Sequence, residues 1–131
     1  MLSDGKIDGI IAQQKVLVLC NANLNRSPTV ARFLREFKKE LDIKDAGVYS
    51  GYPNQINKDL VDWADIIFVM DLEQYRFINE HYEKHPPVFV LGVSDCYDRY
   101  GKRLYELLFW YFKIPVDEKW ISENTGELKN G

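Results

Sequence analysis

Cys20 ends the apolar run Val16-Leu17-Val18-Leu19, and Arg26, Ser27 and Pro28 follow six, seven and eight positions later. Continuous apolar residues are what a strand buried on both faces requires. A serine followed by proline suits a helix start, with Ser27 as N-cap and Pro28 at the first helical position, where its missing N–H costs nothing. Between strand and helix, the backbone N–H groups of residues 21 to 27 have no ladder to join. Turned inward, they form an anion nest, and the helix dipole adds partial positive charge at the same point. Asn21, Asn23 and Asn25 suit such a loop because asparagine tolerates left-handed backbone angles, and Ala22 and Leu24 complete its wall. The expected occupant is an oxyanion of phosphate size, inorganic phosphate or sulfate included.

A cysteine at the base of that cup has its thiolate stabilised by the surrounding N–H groups and becomes a nucleophile at neutral pH. Arg26 offers a planar fork that grips two phosphate oxygens, which lysine cannot copy. The Ser27 hydroxyl is placed both to cap the helix and to donate to the Cys20 sulfur. A free cysteine alone is usually a small core residue. The register of Cys20 with Arg26 and Ser27-Pro28 is what argues for chemistry, and the pattern C-x5-R-S is a phosphate-transfer signature.

Such a cup needs elements to hold it. KVLVLC reads as a strand, and Val30, Phe33, Leu34, Phe37 and Leu41 then recur at helical spacing. AGVYSG is expected as a short second strand, the segment from Asn57 to Ala64 as a short helix, and IIFVM as a buried strand. Asp71 with Gln74 three positions on forms a capping box, with Leu72, Tyr75, Ile78 and Tyr82 as the inner face of the helix it starts. Pro86-Pro87 stops that helix. VFVLGV is a fourth strand, SDCYDRYG a loop, and Lys102 to Lys113 a last helix whose apolar residues spread over more than one face. The alternation predicts an α/β fold: a single three-layer domain, Rossmann-like, with a central parallel sheet of about four strands flanked by helices. In such a sheet ligands collect at the carboxyl ends of the strands.

With these residues in place the chain resembles the low-molecular-weight protein tyrosine phosphatase family, whose first motif reads roughly V-C-x-G-N-x-C-R-S-P. Cys20, Asn23, Arg26, Ser27 and Pro28 stand at matching places, and Leu24 fills the family's apolar position. WADIIFVMD, Trp63 to Asp71, and YSG, Tyr49 to Gly51, support the likeness, which covers about residues 15 to 112. The resemblance implies hydrolysis of phosphate monoesters, most simply protein phosphotyrosine, through a phosphocysteine, with no metal or organic cofactor. It implies a narrow cleft walled by Tyr97, Tyr52 and Leu24, and a general acid in a loop after the fourth strand. There the family's Asp-Pro-aromatic pattern is matched best by Asp95-Cys96-Tyr97, so Asp95 is the first choice of acid and Asp98 the competitor. Proline has become cysteine at that point, Asn25 replaces a second loop cysteine, and Ala22 replaces a glycine. Cys96 is open between a plain loop residue and a reversible partner of Cys20. Two other readings stand beside the phosphatase: an arsenate reductase of the same fold, which would need further cysteines, and a phosphate or phosphoprotein binding module without turnover.

The remaining residues bound these readings. The 131-residue chain is 46% apolar and 28% charged, enough for one sizeable core and too little for two ordinary domains. A domain is expected from residue 15 to 131, with residues 1 to 14 as a flexible extension and ISENTGELKNG as a polar tail. A net charge of −3 and no basic stripe argue against a nucleic-acid partner. LLFWYF is far below the roughly 20 residues of a membrane helix, and no membrane partner is expected. Two cysteines and an acidic N-terminus without an apolar run point to a cytoplasmic protein. The expected partners are a phosphorylated protein or small aryl phosphate. His81 and His85 have the i, i+4 spacing of a metal pair but no further ligand nearby in sequence, so a solvated face is expected.

Overall fold

The computed structural model describes residues 14–22, 25–94 and 96–125. Asn23, Leu24 and Asp95 therefore lie outside the described residues, as does all of the expected N-terminal extension except Gln14. Strands β1 (Lys15–Cys20), β2 (Asp42–Gly47), β3 (Ile66–Val69) and β4 (Val88–Val90) form one sheet in the order β2-β1-β3-β4, every pair parallel. Helices α1 (Arg26–Phe37), α2 (Lys58–Trp63), α3 (Leu72–His81), α4 (Lys102–Tyr111) and α5 (Glu118–Asn124) cover it.

β1 shows why its sequence is uniformly apolar. Val16, Val18 and Cys20 point into one core with Val30, Phe33, Leu104, Phe109 and Ile121, from α1, α4 and α5. Leu17 and Leu19 point into the other, with Val61 of α2 and Ile78 of α3. The pleat thus supplies both cores from alternate residues. After β2 the chain crosses back over β1 to build β3 on its other side. The order reverses between β1 and β3, and a parallel sheet leaves a crevice at the carboxyl ends of the strands at such a point.

The four-stranded α/β architecture is as expected, but its boundaries differ. β2 is Asp42–Gly47, not AGVYSG. Its exposed Asp42 and Lys44 alternate with buried Ile43, an edge-strand pattern that hides among charges in the sequence. α1 stops at Phe37, and Leu41 is buried from the connection that follows. α3 is capped by Asp71 with the expected capping box. Its buried residues, however, are Gln74 and Ile78, while Leu72 and Tyr75 are exposed. The segment expected as a polar tail begins inside α5, where Ile121 is buried and the Trp120 ring meets Tyr105, Phe37 and Phe33. Asp117 caps that helix by accepting from the Trp120 N–H at 2.9 Å.

Candidate active site

Cys20 is the last residue of β1, 3% exposed, with Gly47 beside it in the register of β1 and β2. Its carbonyl accepts from the Val48 N–H at 3.0 Å, so the strand is held to its final residue. The Cys20 Sγ lies 3.0 Å from the Ser27 Oγ, and that hydroxyl also reaches the Ala46 carbonyl at 3.4 Å. Ser27 is therefore beside the sulfur, as expected, but it is not the N-cap. That place belongs to Asn25, whose side chain makes no capping bond, and α1 starts at Arg26 with Ser27 and Pro28 inside its first turn. Pro28 still costs no helical bond, because the first four N–H groups of a helix have no partner within it.

Arg26 follows from the same start. Its side chain is almost wholly buried and returns over the crevice, where Nη1 donates to Asp71 Oδ2 at 2.7 Å and to the Val93 carbonyl at 2.9 Å. Asp71 follows β3 and Val93 follows β4, so residues from three neighbouring strand ends meet around one guanidinium. Both bonds use Nη1, leaving the Nε and Nη2 edge without a partner among the described residues. Burial works against ionisation of the Asp71 carboxyl, but the Arg26 guanidinium and the Glu73 N–H outweigh it and hold the group below its ordinary range.

The loop wall is tied to α3. Gln74 accepts from the N–H groups of Met70 and Asp71 and donates through Nε2 to Asn21 Oδ1 at 2.6 Å. The Asn21 carbonyl accepts from the Tyr49 N–H at 2.8 Å. Asn21 and Ala22 are half-buried and Asn25 is exposed. Neither Asn21 nor Asn25 uses left-handed angles; among the described non-glycine residues those fall at Asn54, Tyr100 and Lys113. Asn23 and Leu24, both assigned to the wall, lie outside the described residues.

The flanking candidates divide. Tyr97 is half-buried and packs against the larger core, whereas Tyr52 is exposed and pairs with Tyr49 at a ring distance of 6.4 Å. Asp95, the first choice of acid, lies outside the described residues. Its neighbour Cys96 is exposed, with its N–H on the Ser94 hydroxyl, and Asp98 is exposed with its carbonyl accepting from the Gly101 N–H at 3.0 Å. In the sequence Asp71 and Gln74 stand out as a capping box, and Asp71 also as the end of WADIIFVMD; their position just beyond a buried strand is the signal for a second use. His81 stacks on Phe77 and its Nδ1 meets that residue's carbonyl, while His85 meets Pro86 and Asn79. Among the described residues no group of three or more His, Cys, Asp and Glu could hold a metal ion, and no helix is long and apolar enough to cross a membrane.

No protein-family model matches the chain. It is 31% identical over 107 residues to a protein of Ralstonia nicotianae named probable low molecular weight protein-tyrosine-phosphatase EpsP, covering 63% of this chain and 74% of that one. Among solved structures it is similar to a YwlE mutant from Bacillus subtilis, with a TM-score of 0.63 at 16% identity over 76% of this chain and 94% of the other. It is similar also to the tyrosine phosphatase Wzb from Escherichia coli K30 in complex with sulphate, with a TM-score of 0.57 at 17% identity over 83% and 96%. At such identities the structural likeness shows the fold.

Proposed function

The chain belongs to the low-molecular-weight protein-tyrosine-phosphatase family, and from that membership we propose that it hydrolyses phosphate monoesters, phosphotyrosine in proteins foremost, through a phosphocysteine at Cys20. The observation that carries the reading is the 3.0 Å approach of Cys20 Sγ and Ser27 Oγ at the end of β1, in the crevice over which Arg26 is fastened. A hydroxyl at that distance donates to a thiolate and keeps it available for attack.

In this mechanism the Cys20 thiolate attacks phosphorus in line with the leaving oxygen, forming the S–P bond as the P–O bond breaks. The Nε and Nη2 edge of Arg26 and the N–H groups of residues 21 to 27 take up the charge on the equatorial oxygens. Asp95 gives its proton to the departing phenolate oxygen, then as carboxylate takes a proton from the water that releases phosphate and regenerates the thiolate. Asp98 is the alternative donor. Asp71 positions Arg26, and Gln74 positions Asn21.

Hydrolysis of an aryl phosphate tests this. Cys20→Ser is expected to abolish turnover, Arg26→Lys to lower kcat/KM by about 10²–10³, and Asp95→Asn by about 10²–10⁴. Full activity in Cys20→Ser removes the nucleophile. Should Asp95→Asn be unaffected while Asp98→Asn loses its rate, the acid is Asp98. A native protein that binds phosphate without hydrolysing any aryl phosphate would instead be a binding module.

A further inference from the structure

Beyond the phosphate loop, one concavity of about 370 Å³ is lined by Pro28, Arg32, Arg35, Asp45, Arg99 and Tyr100. Three guanidinium groups around one hollow are unexpected in a chain of net charge −3. Arg32 lies over the Tyr100 ring at 4.7 Å and Arg99 lies over it at 4.8 Å. Arg99 also donates from Nη2 to the Tyr100 hydroxyl at 3.3 Å. Neither Arg32 nor Arg99 forms an ion pair with a carboxylate among the described residues. Two acids lie close by, and both are engaged. Asp45 meets Arg35 Nη2 at 3.3 Å, and Glu36, in the adjoining hollow, accepts from Trp120 Nε1 at 3.0 Å with Lys39 at 3.5 Å.

The ring is itself held firmly. Tyr100 has φ +55, a conformation costly for a bulky residue, and its N–H donates to Thr29 Oγ1 at 2.9 Å, which in turn donates to the Asn25 carbonyl at 2.7 Å. The hollow thus has a fixed floor, and its arginines come from two elements, α1 and the loop that follows β4. Like charges from separate elements repel unless an anion lies between them.

We propose that this hollow is a second anion-binding site, separate from the phosphate loop, which takes a compact polyanion carrying phosphate oxygens. Arg32 and Arg99 supply forks suited to paired oxygens, and Arg35, held in place through its Nη2 by the Ile43 carbonyl at 3.0 Å and Asp45 at 3.3 Å, adds a third positive charge. An occupant ties α1 to the loop that bears Asp98, so binding also raises the melting temperature.

Isothermal calorimetry with pyrophosphate is the test. Two sites are expected in the native protein, one removed by Arg26→Ala and the other weakened about tenfold by Arg35→Ala and by Arg32→Ala, with the second losing affinity as sodium chloride is raised. Should Arg26→Ala fail to fold, tungstate diffused into crystals of the native protein gives the second readout, with density expected among Arg32, Arg35 and Arg99 as well as at Cys20. A single calorimetric site indifferent to Arg32 and Arg35, or tungstate at Cys20 alone, overturns the proposal. Failure of the phosphatase reading is seen separately, in aryl phosphate hydrolysis.

Discussion

Arg26 carries a full charge at 3% exposure, and a charge so placed has to be neutralised by something. Asp71 does this in part, with its own side chain 42% exposed, and the Val93 carbonyl adds a second acceptor. Asp71→Asn is expected to lower stability by about 2 kcal/mol, the worth of a hydrogen bond to a charged group, as read from urea midpoints at neutral pH. The pH dependence has a definite sign. Because the folded carboxyl is held below its ordinary value, its contribution is complete above about pH 4 and is lost as pH falls through the folded value. The native protein therefore weakens on acidification in a way that Asp71→Asn does not, and parallel melting curves of the two below about pH 4 would contradict the linkage.

Among the elements, α4 and α5 show how side chains on different helices complete one core. Phe33 and Phe37 of α1 meet Phe109 of α4 at 5.0 and 4.9 Å, and the Trp120 ring of α5 lies 4.7 Å from Tyr105 at a near-perpendicular angle. Tyr105 is the exception to good pairing. Its hydroxyl is buried without a hydrogen-bond partner among the described residues, and burial pushes its pKa up to about 12. The Arg32 guanidinium opposes that rise by its charge and by its approach to the hydroxyl, without a hydrogen bond of good geometry. Tyr105→Phe is thus expected to raise stability by about 1 kcal/mol and the melting temperature by a few degrees, since an unsatisfied hydroxyl is removed and the ring contacts stay. A destabilised Tyr105→Phe protein would mean that the hydroxyl has a polar partner in solution.

Over the whole molecule, α5 acts as the last piece of one face of the sandwich. Ile121 is 2% exposed, and the Trp120 ring covers the cluster of Phe33, Phe37, Tyr105 and Phe109. A chain ending before Asp117 is expected to lose about 3 to 5 kcal/mol, comparable with one large core truncation. That is a large share of the roughly 5 to 15 kcal/mol that holds a domain together. Unchanged urea unfolding of the shortened chain would show that α5 is dispensable. The same view explains the place of Cys20: it ends the strand on both sides of which the order reverses, paired with Gly47 of β2, one position beyond Leu19, which pairs with Val69 of β3.

Local chemistry was legible in the residues alone. Apolar continuity announced β1, the spacing of Cys20, Arg26 and Ser27 announced a sulfur beside a hydroxyl at a helix start, and Asp71 with Gln74 announced a capping box. These depend on neighbours within a few positions, so the chain order carries them. The edge strand β2, the docking of α5, and the second duties of Asp71 and Gln74 toward Arg26 and Asn21 were decided only by the tertiary structure. Asp71 is 45 positions from Arg26 and Gln74 is 53 from Asn21. Such pairs exist because parallel strands bring distant carboxyl ends side by side, and residue spacing along a chain holds no record of which strands become neighbours.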